Sequence, residues 1–220
     1  MLLYNNMNFF PLHTKFNIII LLSCMFLQVQ EKGDALKTLE IIGHHDKLVD
    51  HLVQHPQFLD FLPSIFPFNN KIRISSDFEH RIHPLTKAAQ FHAGIDFPLE
   101  KGTSVMATGH ARVYKVEYYN PISGNCVILS HLGGWESIYC HLSEIHIQAG
   151  ELVQQGQRIG KSGASGAVTG PHLHYAIKKK QSHWDPLRFC VLKREVKKII
   201  KNQTRTRLFK VCNMYNNLLY

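Results

Sequence analysis

Several features that would assign this chain to a class at once are missing from it. Its five cysteines include no C-x-x-C pair, which argues against a cysteine-ligated zinc site. The sequence has no H-E-x-x-H motif, no nucleotide-binding glycine loop and no internal repeat. The apolar run from Phe16 to Leu27 is shorter than the roughly 20 residues that a membrane-spanning helix needs. What remains is a globular composition whose chemistry must come from scattered residues.

Acidic residues are the scarcer charged type, with 16 Asp and Glu against 25 Lys and Arg, and the formal net charge is +9. The excess is concentrated between Lys193 and Lys210, where eight Lys or Arg accompany only one acidic residue. We interpret residues 191–220 as a basic tail. It is either a solvated, partly disordered end or a binding element for an anionic wall polymer or membrane surface. A polyanion-binding protein is therefore one candidate function, although no specific nucleic acid is expected.

The N-terminal apolar run follows Lys15, as the apolar region of a secretory signal follows a positive residue. We therefore predict that residues 1–33 are a signal peptide or a membrane or lipid anchor. Leu21 to Cys24 faintly resembles a lipoprotein cleavage box, and the alternative is a buried core segment. The prediction implies an exported protein that is periplasmic, envelope-anchored or secreted.

The spacing of apolar residues divides the rest of the chain into two parts. Residues 34–70 read as a helical lead-in, because apolar residues recur at helical spacing until Pro56. From residue 71, short apolar runs alternate with Gly or Pro, which predicts many short strands. We expect a mainly β domain with an antiparallel sheet over residues 71–190, preceded by the short helical segment.

Two cysteines flank a predicted hairpin. Cys126 and Cys140 lie on either side of the Gly133-Gly134 turn. They face each other in only one of two plausible registers, because a slip of one residue moves a side chain to the other face. The sequence alone therefore predicts no disulfide.

The chain is unusually rich in histidine, with fifteen residues, and three short motifs contain the candidate metal-binding and catalytic residues. These are His92-Ala-Gly-Ile-Asp96, Tyr139-Cys-His141-Leu142 and His172-Leu-His174. In a strand, His-x-His places both imidazoles on one face, so that one can bind metal while the other handles protons. The spacing does not say which histidine of the pair binds the metal.

His92 and Asp96 need a bent chain to share an ion. Residues four apart in a straight strand are separated by about 13 Å, whereas zinc ligands bind at about 2 Å. Gly94 is the residue expected to permit the bend. Two histidines and one Asp leave a fourth position open, which is typical of catalytic rather than structural zinc.

Taken together, these motifs and their surroundings give a specific pattern. Residues 76 to about 190 resemble the lysostaphin-type (LytM-like) peptidoglycan metallopeptidases. The resemblance rests on the following matches: Phe78-Glu79-His80-Arg81-Ile82-His83-Pro84 to F-G-x-R-x-H-P, then His92-x-Gly94-x-Asp96, Gly102-Thr-Ser-Val105, Tyr139-x-His141-Leu142, Gly156-x-x-Ile159-Gly160 and Thr169-Gly170-Pro171-His172-Leu173-His174.

The resemblance implies a fold, an activity and a set of residue roles. It implies one Zn²⁺ per chain bound by His92, Asp96 and His174, with His141 and His172 as catalytic histidines that do not bind the metal. The substrate would be the stem or cross-bridge peptides of peptidoglycan. The alternative is a non-catalytic, wall-binding or hydrolase-activating module of the same fold. One departure is Glu79 in place of the family's Gly, which bears on the conformation of that loop and on access to the cleft.

Overall fold

The computed structural model describes the backbone of residues 45–82 and 87–217, and side chains within 47–82 and 87–206. The predicted leader 1–33 and the first part of the predicted lead-in lie outside these residues. The described part of the lead-in begins with helix α1 (His45–Gln54). Pro56 follows α1 and begins a 3₁₀ helix, Pro56–Phe61, because proline is tolerated in a first helical turn. Residues 62–70 are not helical.

Twelve strands lie within the described residues, so the predicted mainly antiparallel β fold is confirmed. Their bounds are β1 His80–Ile82, β2 Ala89–Phe91, β3 Ile95–Phe97, β4 Ser104–Met106, β5 Ala111–Asn120, β6 Gly124–Ser130, β7 Trp135–Leu142, β8 Glu144–Ile145, β9 Leu152–Val153, β10 Arg158–Lys161, β11 Leu173–Lys179 and β12 Ser182–Trp184. Two helices follow: α2 (Pro186–Cys190) and α3 (Leu192–Asn217).

The main sheet has seven strands. Six follow the order β12-β11-β7-β6-β5-β9, and β3 also pairs with β11. A second, three-stranded sheet has the order β4-β10-β8, and β1 pairs with β2. Every strand pairing here is antiparallel, so neighbouring strands present alternate residues to the same face. Strands β3, β11 and β7 are therefore adjacent, and each carries part of the candidate site.

Alternation divides these strands into a core face and a site face. Tyr139 and Tyr175 lie opposite each other on β7 and β11 and are fully buried. Their hydroxyls meet at Thr108 Oγ1, at 2.9 Å in each case. Neighbouring positions point the other way, so the burial of two large aromatics fixes which residues reach the site.

The basic tail forms α3 rather than a partly disordered end over the described residues. Leu192 and Val196 are fully buried in its first turns. Lys193 forms an ion pair of 2.6 Å with Asp60 in the 3₁₀ helix, and its backbone N–H donates to Ser64 O at 3.2 Å. The tail thus begins as a packed element. Within residues 45–82 and 87–217, no helix combines the length and apolarity that crossing a membrane requires.

Candidate metal centre

Three side chains converge at the edge of the main sheet. Asp96 on β3 lies opposite His174 on β11, and Nδ1 of His174 is 2.8 Å from Oδ1 of Asp96. Nε2 of His92 is 3.1 Å from the same His174 nitrogen and 3.2 Å from the same carboxylate oxygen. One potential donor atom from each of the three residues therefore faces a common point.

These separations suit one tetrahedral ion. Donor atoms bound at about 2.0–2.1 Å in tetrahedral geometry lie about 3.3 Å from each other. The three observed separations are slightly shorter than this, so the side chains need only small shifts to bind such an ion. Two imidazole nitrogens and a carboxylate oxygen are a donor set that zinc accepts.

His92 is oriented by a backbone contact. Its Nδ1 lies 2.7 Å from the carbonyl oxygen of Asp77, so Nδ1–H donates there and Nε2 carries the lone pair. The segment that supplies this carbonyl is itself attached to β3, because Ser75 N–H donates to Asp96 O and Asp96 N–H donates to Ser76 O. The predicted bend is real, since His92 lies between β2 and β3 rather than within one straight strand.

Arg81 holds the carboxylate of Asp96 from outside. Its Nη2 donates to Oδ2 at 3.2 Å, leaving Oδ1 directed at the two histidines, and its Nη1 donates to Ser76 Oγ at 2.5 Å. Arg81 belongs to the matched F-G-x-R-x-H-P motif, but sequence reasoning gave it no role. The motif could have indicated a role for Arg81 in orienting a metal ligand, because groups that hydrogen-bond to a ligand restrict its orientation.

Gly94 is required for space rather than for an unusual backbone angle. A Cβ built at Gly94 would lie 2.6 Å from Cε1 of His174 and 2.8 Å from the carbonyl oxygen of Tyr175. Its φ lies outside the left-handed region, so the bend at Gly94 does not depend on a left-handed backbone. The absence of a side chain lets the imidazole of His174 pack directly against the His92–Asp96 turn.

His141 occupies a strained position beside the cluster. Its φ is +62°, a left-handed value that is uncommon for residues other than glycine. Its backbone N–H donates to Ser123 O at 2.9 Å, and its Nδ1 lies 2.9 Å from Ser165 O. The second contact makes Nδ1 the protonated nitrogen and leaves Nε2 as the base. Burial lowers the pKa of His141 to about 4, against a smaller opposing effect of the Ser165 carbonyl.

His172 completes the group. Its Nδ1 lies 2.9 Å from the carbonyl oxygen of Gly170, which again leaves Nε2 without the ring proton. That Nε2 is 3.8 Å from Oδ1 of Asp96, farther than the nitrogens of His92 and His174. The rings of His141 and His172 are 4.7 Å apart between centroids. Both therefore border the donor cluster without joining the set of three close donors.

The cluster is arranged for a positive ion. Burial alone would raise the pKa of Asp96, but hydrogen bonds and charges from His174 and His92 outweigh it and lower that pKa. Burial lowers the pKa of His174 more strongly than the hydrogen bond with Asp96 raises it. The carboxylate is thus ionised and His174 favours its neutral form, which are the states that bind metal.

The structure brings together all five sequence-predicted site residues. The metal-binding and catalytic roles assigned to them remain predictions that need experiment. Other histidines lie elsewhere: His110 packs on Phe61, and His146 pairs with Glu144. His131 is buried, with Nδ1 3.1 Å from His110 O and Nε2 2.7 Å from Ser137 Oγ.

Comparison with known proteins agrees with this geometry. The sequence model of peptidase family M23 matches residues 90–186, a range that contains all five site residues. The chain carries a peptidase family M23 domain. The resemblance to lysostaphin-type peptidases is thereby confirmed at the level of the domain.

Curated relatives and solved structures extend the family assignment. The peptidoglycan DD-endopeptidase ShyA of Vibrio cholerae is 43% identical over 153 residues, which are 66% of this chain and 35% of ShyA. The DD-carboxypeptidase/endopeptidase Mpg of Neisseria meningitidis is 41% identical over 103 residues, 47% of this chain and 24% of Mpg. The M23 chain thus spans about a third or less of the length of these relatives.

Two solved structures share the fold. A zinc-containing peptidase from Vibrio cholerae is 34% identical, with a TM-score of 0.52, covering 56% of this chain and 38% of that one. A structure of the SpoIIQ–SpoIIIAH pore-forming complex matches with 26% identity and a TM-score of 0.52, over 59% of this chain and 91% of that one. The fold therefore also occurs in a pore-forming complex, so an activity must be argued from the site.

Proposed function

We propose that the protein is a zinc-dependent endopeptidase that hydrolyses peptide bonds in bacterial peptidoglycan. The observation that carries this proposal is the convergence of His92, Asp96 and His174 with His141 and His172 alongside. The names of the relatives support the substrate class. Because those names include DD-endopeptidases, we favour cross-links between peptide stems over glycine-rich bridges as the target.

In this proposal, His92, Asp96 and His174 bind one zinc ion. Zinc, when bound, lowers the pKa of a coordinated water toward about 7 and polarises the scissile carbonyl. His141 stays neutral at neutral pH because of its lowered pKa, so its Nε2 can accept a proton. His172 presents its Nε2 from the neighbouring position and can hydrogen-bond the developing oxyanion or transfer a proton to the leaving amine.

The proposal is tested with purified peptidoglycan of two kinds, one with direct stem cross-links and one with glycine bridges. Mass spectrometry should show cross-linked fragments converted to monomers by the parent protein and not by His141→Ala. Activity on direct cross-links alone would support our choice of target. No cleavage of either wall by zinc-loaded protein would favour the non-catalytic alternative.

The substrate requires action outside the cytoplasm, so we propose that the chain is exported. The apolar run near the N-terminus, behind Lys15, supports this. N-terminal sequencing of the protein from the native cell should reveal removal of the first residues or a retained anchor. An intact chain found only in the cytosol would contradict export.

Helix α3 supports a further partner for the proposed enzyme, an anionic surface of the envelope. Five exposed cations recur at spacings of three or four residues and share one helix face: Arg194, Lys197, Lys198, Lys201 and Arg205. Opposite them, Leu192 and Val196 are buried against the domain, so over residues 192–206 the helix offers charge rather than an apolar face to a membrane.

Sedimentation with phosphate-rich wall polymer or with vesicles containing anionic lipid should distinguish the two surfaces. Replacing Lys197, Lys198 and Lys201 by Gln should weaken binding and reduce its salt dependence. The matched control replaces three exposed cations elsewhere: Lys71, Lys101 and Arg158. Equal losses in both variants would mean that only net charge matters.

A further inference from the structure

Two cysteines meet beside the candidate site. Sγ of Cys126 on β6 lies 2.7 Å from Sγ of Cys140 on β7, and the two residues are only 4% and 5% exposed. Strand pairing sets Val127 opposite Tyr139 and Ile128 opposite Ile138. Cys126 and Cys140 are the next residues along this ladder, at the point where its register shifts between Asn125 and Val127. Of the two hairpin registers considered from the sequence, this is the one in which the two thiols face each other.

The strand geometry suits a covalent bond. Opposed residues of an antiparallel pair have Cα atoms about 4.5–5.5 Å apart, within the range of about 4.4–6.8 Å that a disulfide spans. We propose that Cys126 and Cys140 form an intrachain disulfide when the protein folds in an oxidising compartment. This inference goes beyond the proposed function and depends on the proposed export, but it does not depend on peptidase activity.

The bond needs an oxidant, which we assign to the disulfide of a thiol–disulfide oxidoreductase. One cysteine thiolate attacks that disulfide, forms a mixed disulfide and releases one oxidant sulfur as a thiolate. The second cysteine then attacks the mixed disulfide, and the oxidant leaves as a dithiol. The cysteine pair loses two protons and two electrons. Because both thiols are buried in the folded domain, this exchange occurs before packing is complete.

The bond would join β6 and β7 where their register shifts. Cys140 immediately precedes His141, whose φ is +62°, and the pairing of β6 with β7 shifts between Asn125 and Val127. Cys140 also lies opposite His174 on β11. A covalent link at this point restricts the same stretch of backbone that positions His141.

Peptide mapping tests the bond directly. The protein is folded with and without a thiol–disulfide oxidoreductase and its oxidant, then alkylated in denaturant without reduction. Trypsin alone keeps both cysteines in one peptide, because there is no Lys or Arg between positions 115 and 158. Additional cleavage after glutamate, at Glu117, Glu136 and Glu144, should yield residues 118–136 linked to residues 137–144. Both cysteines alkylated after oxidative folding would overturn the proposal.

A stability measurement gives an independent readout. Reduction should lower the unfolding midpoint of the parent by about 5–10 °C, because the cross-link no longer restricts the unfolded chain. The double variant Cys126→Ala with Cys140→Ala should lose this dependence on reductant. Cys190→Ala, which removes an equally buried thiol from α2, should keep it. A parent unfolding midpoint that does not change with reductant would also overturn the proposal. A disulfide found by mapping in a protein without peptidase activity would contradict only the proposed function.

Discussion

Nδ1 of His174 and Oδ1 of Asp96 lie 2.8 Å apart across two paired strands, at directly opposed positions of β11 and β3. Two of the three donors are therefore positioned by the sheet register itself. His92 is held differently, by a carbonyl contact to Asp77 in the segment before β1. Strands restrict side chains more tightly than loops do, so disturbing that segment should affect His92 before it affects the other two donors.

We expect each metal-binding variant to lose zinc together with activity. Purified parent protein should hold about one zinc per chain, and His92→Ala, Asp96→Ala and His174→Ala should hold much less, because two protein ligands bind a divalent ion weakly. Elemental analysis by mass spectrometry measures this. The matched control is His183→Ala, an exposed histidine on β12. A zinc-replete parent preparation without metal would contradict the assignment.

His141→Ala and His172→Ala should separate chemistry from binding. Each should keep its zinc while turnover falls at least about 100-fold, because a positioned proton-transfer group contributes about 10²–10⁴-fold. Added zinc should not restore either variant. If His172→Ala lost zinc while His174→Ala kept it, the roles within the His-x-His pair would be reversed. Parent-like turnover in both variants would refute the mechanism.

Replacing Arg81 should weaken the centre without removing a ligand. Arg81→Met deletes both contacts, to Asp96 and to Ser76, so zinc affinity should fall about 10–100-fold. Competition with a chelator of known affinity measures the change. Arg73→Met, which changes an exposed arginine of the preceding segment, is the matched control. Equal affinity in the two variants would show that the Arg81 contact does not hold the carboxylate in place.

Gly94→Ala should distort the site through a single methyl group. The added Cβ would fall 2.6 Å from His174 Cε1, so the imidazole or the turn must move, and both zinc content and thermal stability should drop. Gly170→Ala is the matched control, because a Cβ there meets nothing within 4 Å and the backbone angle is ordinary. Parent-like zinc affinity in Gly94→Ala would show that the turn can relax.

Protonation of buried His131 should destabilise the fold in mild acid. Burial lowers the pKa of His131 to about 4 from an ordinary value of 6.5, so the unfolded chain binds the extra proton first. Stability from this residue is complete above pH 6.5 and is lost as pH falls toward 4, by about 3 kcal/mol. Urea unfolding at several pH values measures the slope. His131→Gln should flatten it, whereas His80→Gln, at an exposed histidine of β1, should not.

The sequence could predict the parts of this site that depend on strand alternation. His172 and His174 had to reach one face together, and the turns around Gly133-Gly134 indicated antiparallel neighbours. It could not predict the left-handed backbone of His141, which arises where the register of β6 and β7 shifts. The Cys126–Cys140 pairing depends on that same register, which composition and residue spacing do not determine.

The sequence pattern likewise could not predict contacts between segments that are distant along the chain. Arg81 lies 15 positions from Asp96, and only the folded β1–β2 hairpin brings its guanidinium to the carboxylate. The basic tail offered charge as its only clear signal. Its helical form follows from the burial of Leu192 and Val196 against the domain and from the ion pair between Lys193 and Asp60.

The ion pair of Lys193 with Asp60 has a consequence for exchanging this domain between proteins. It connects the first turn of α3 to the 3₁₀ helix before the sheet, while Ser76, Asp77 and Arg81 brace the metal ligands from ahead of residue 90. A chimera joined at the limits of the family match, residues 90 and 186, would carry the four site histidines and Asp96. It would lack the contacts from Ser76, Asp77 and Arg81 that hold His92 and Asp96 in place. A chimera meant to keep the proposed activity must therefore include the segments that flank the sheet.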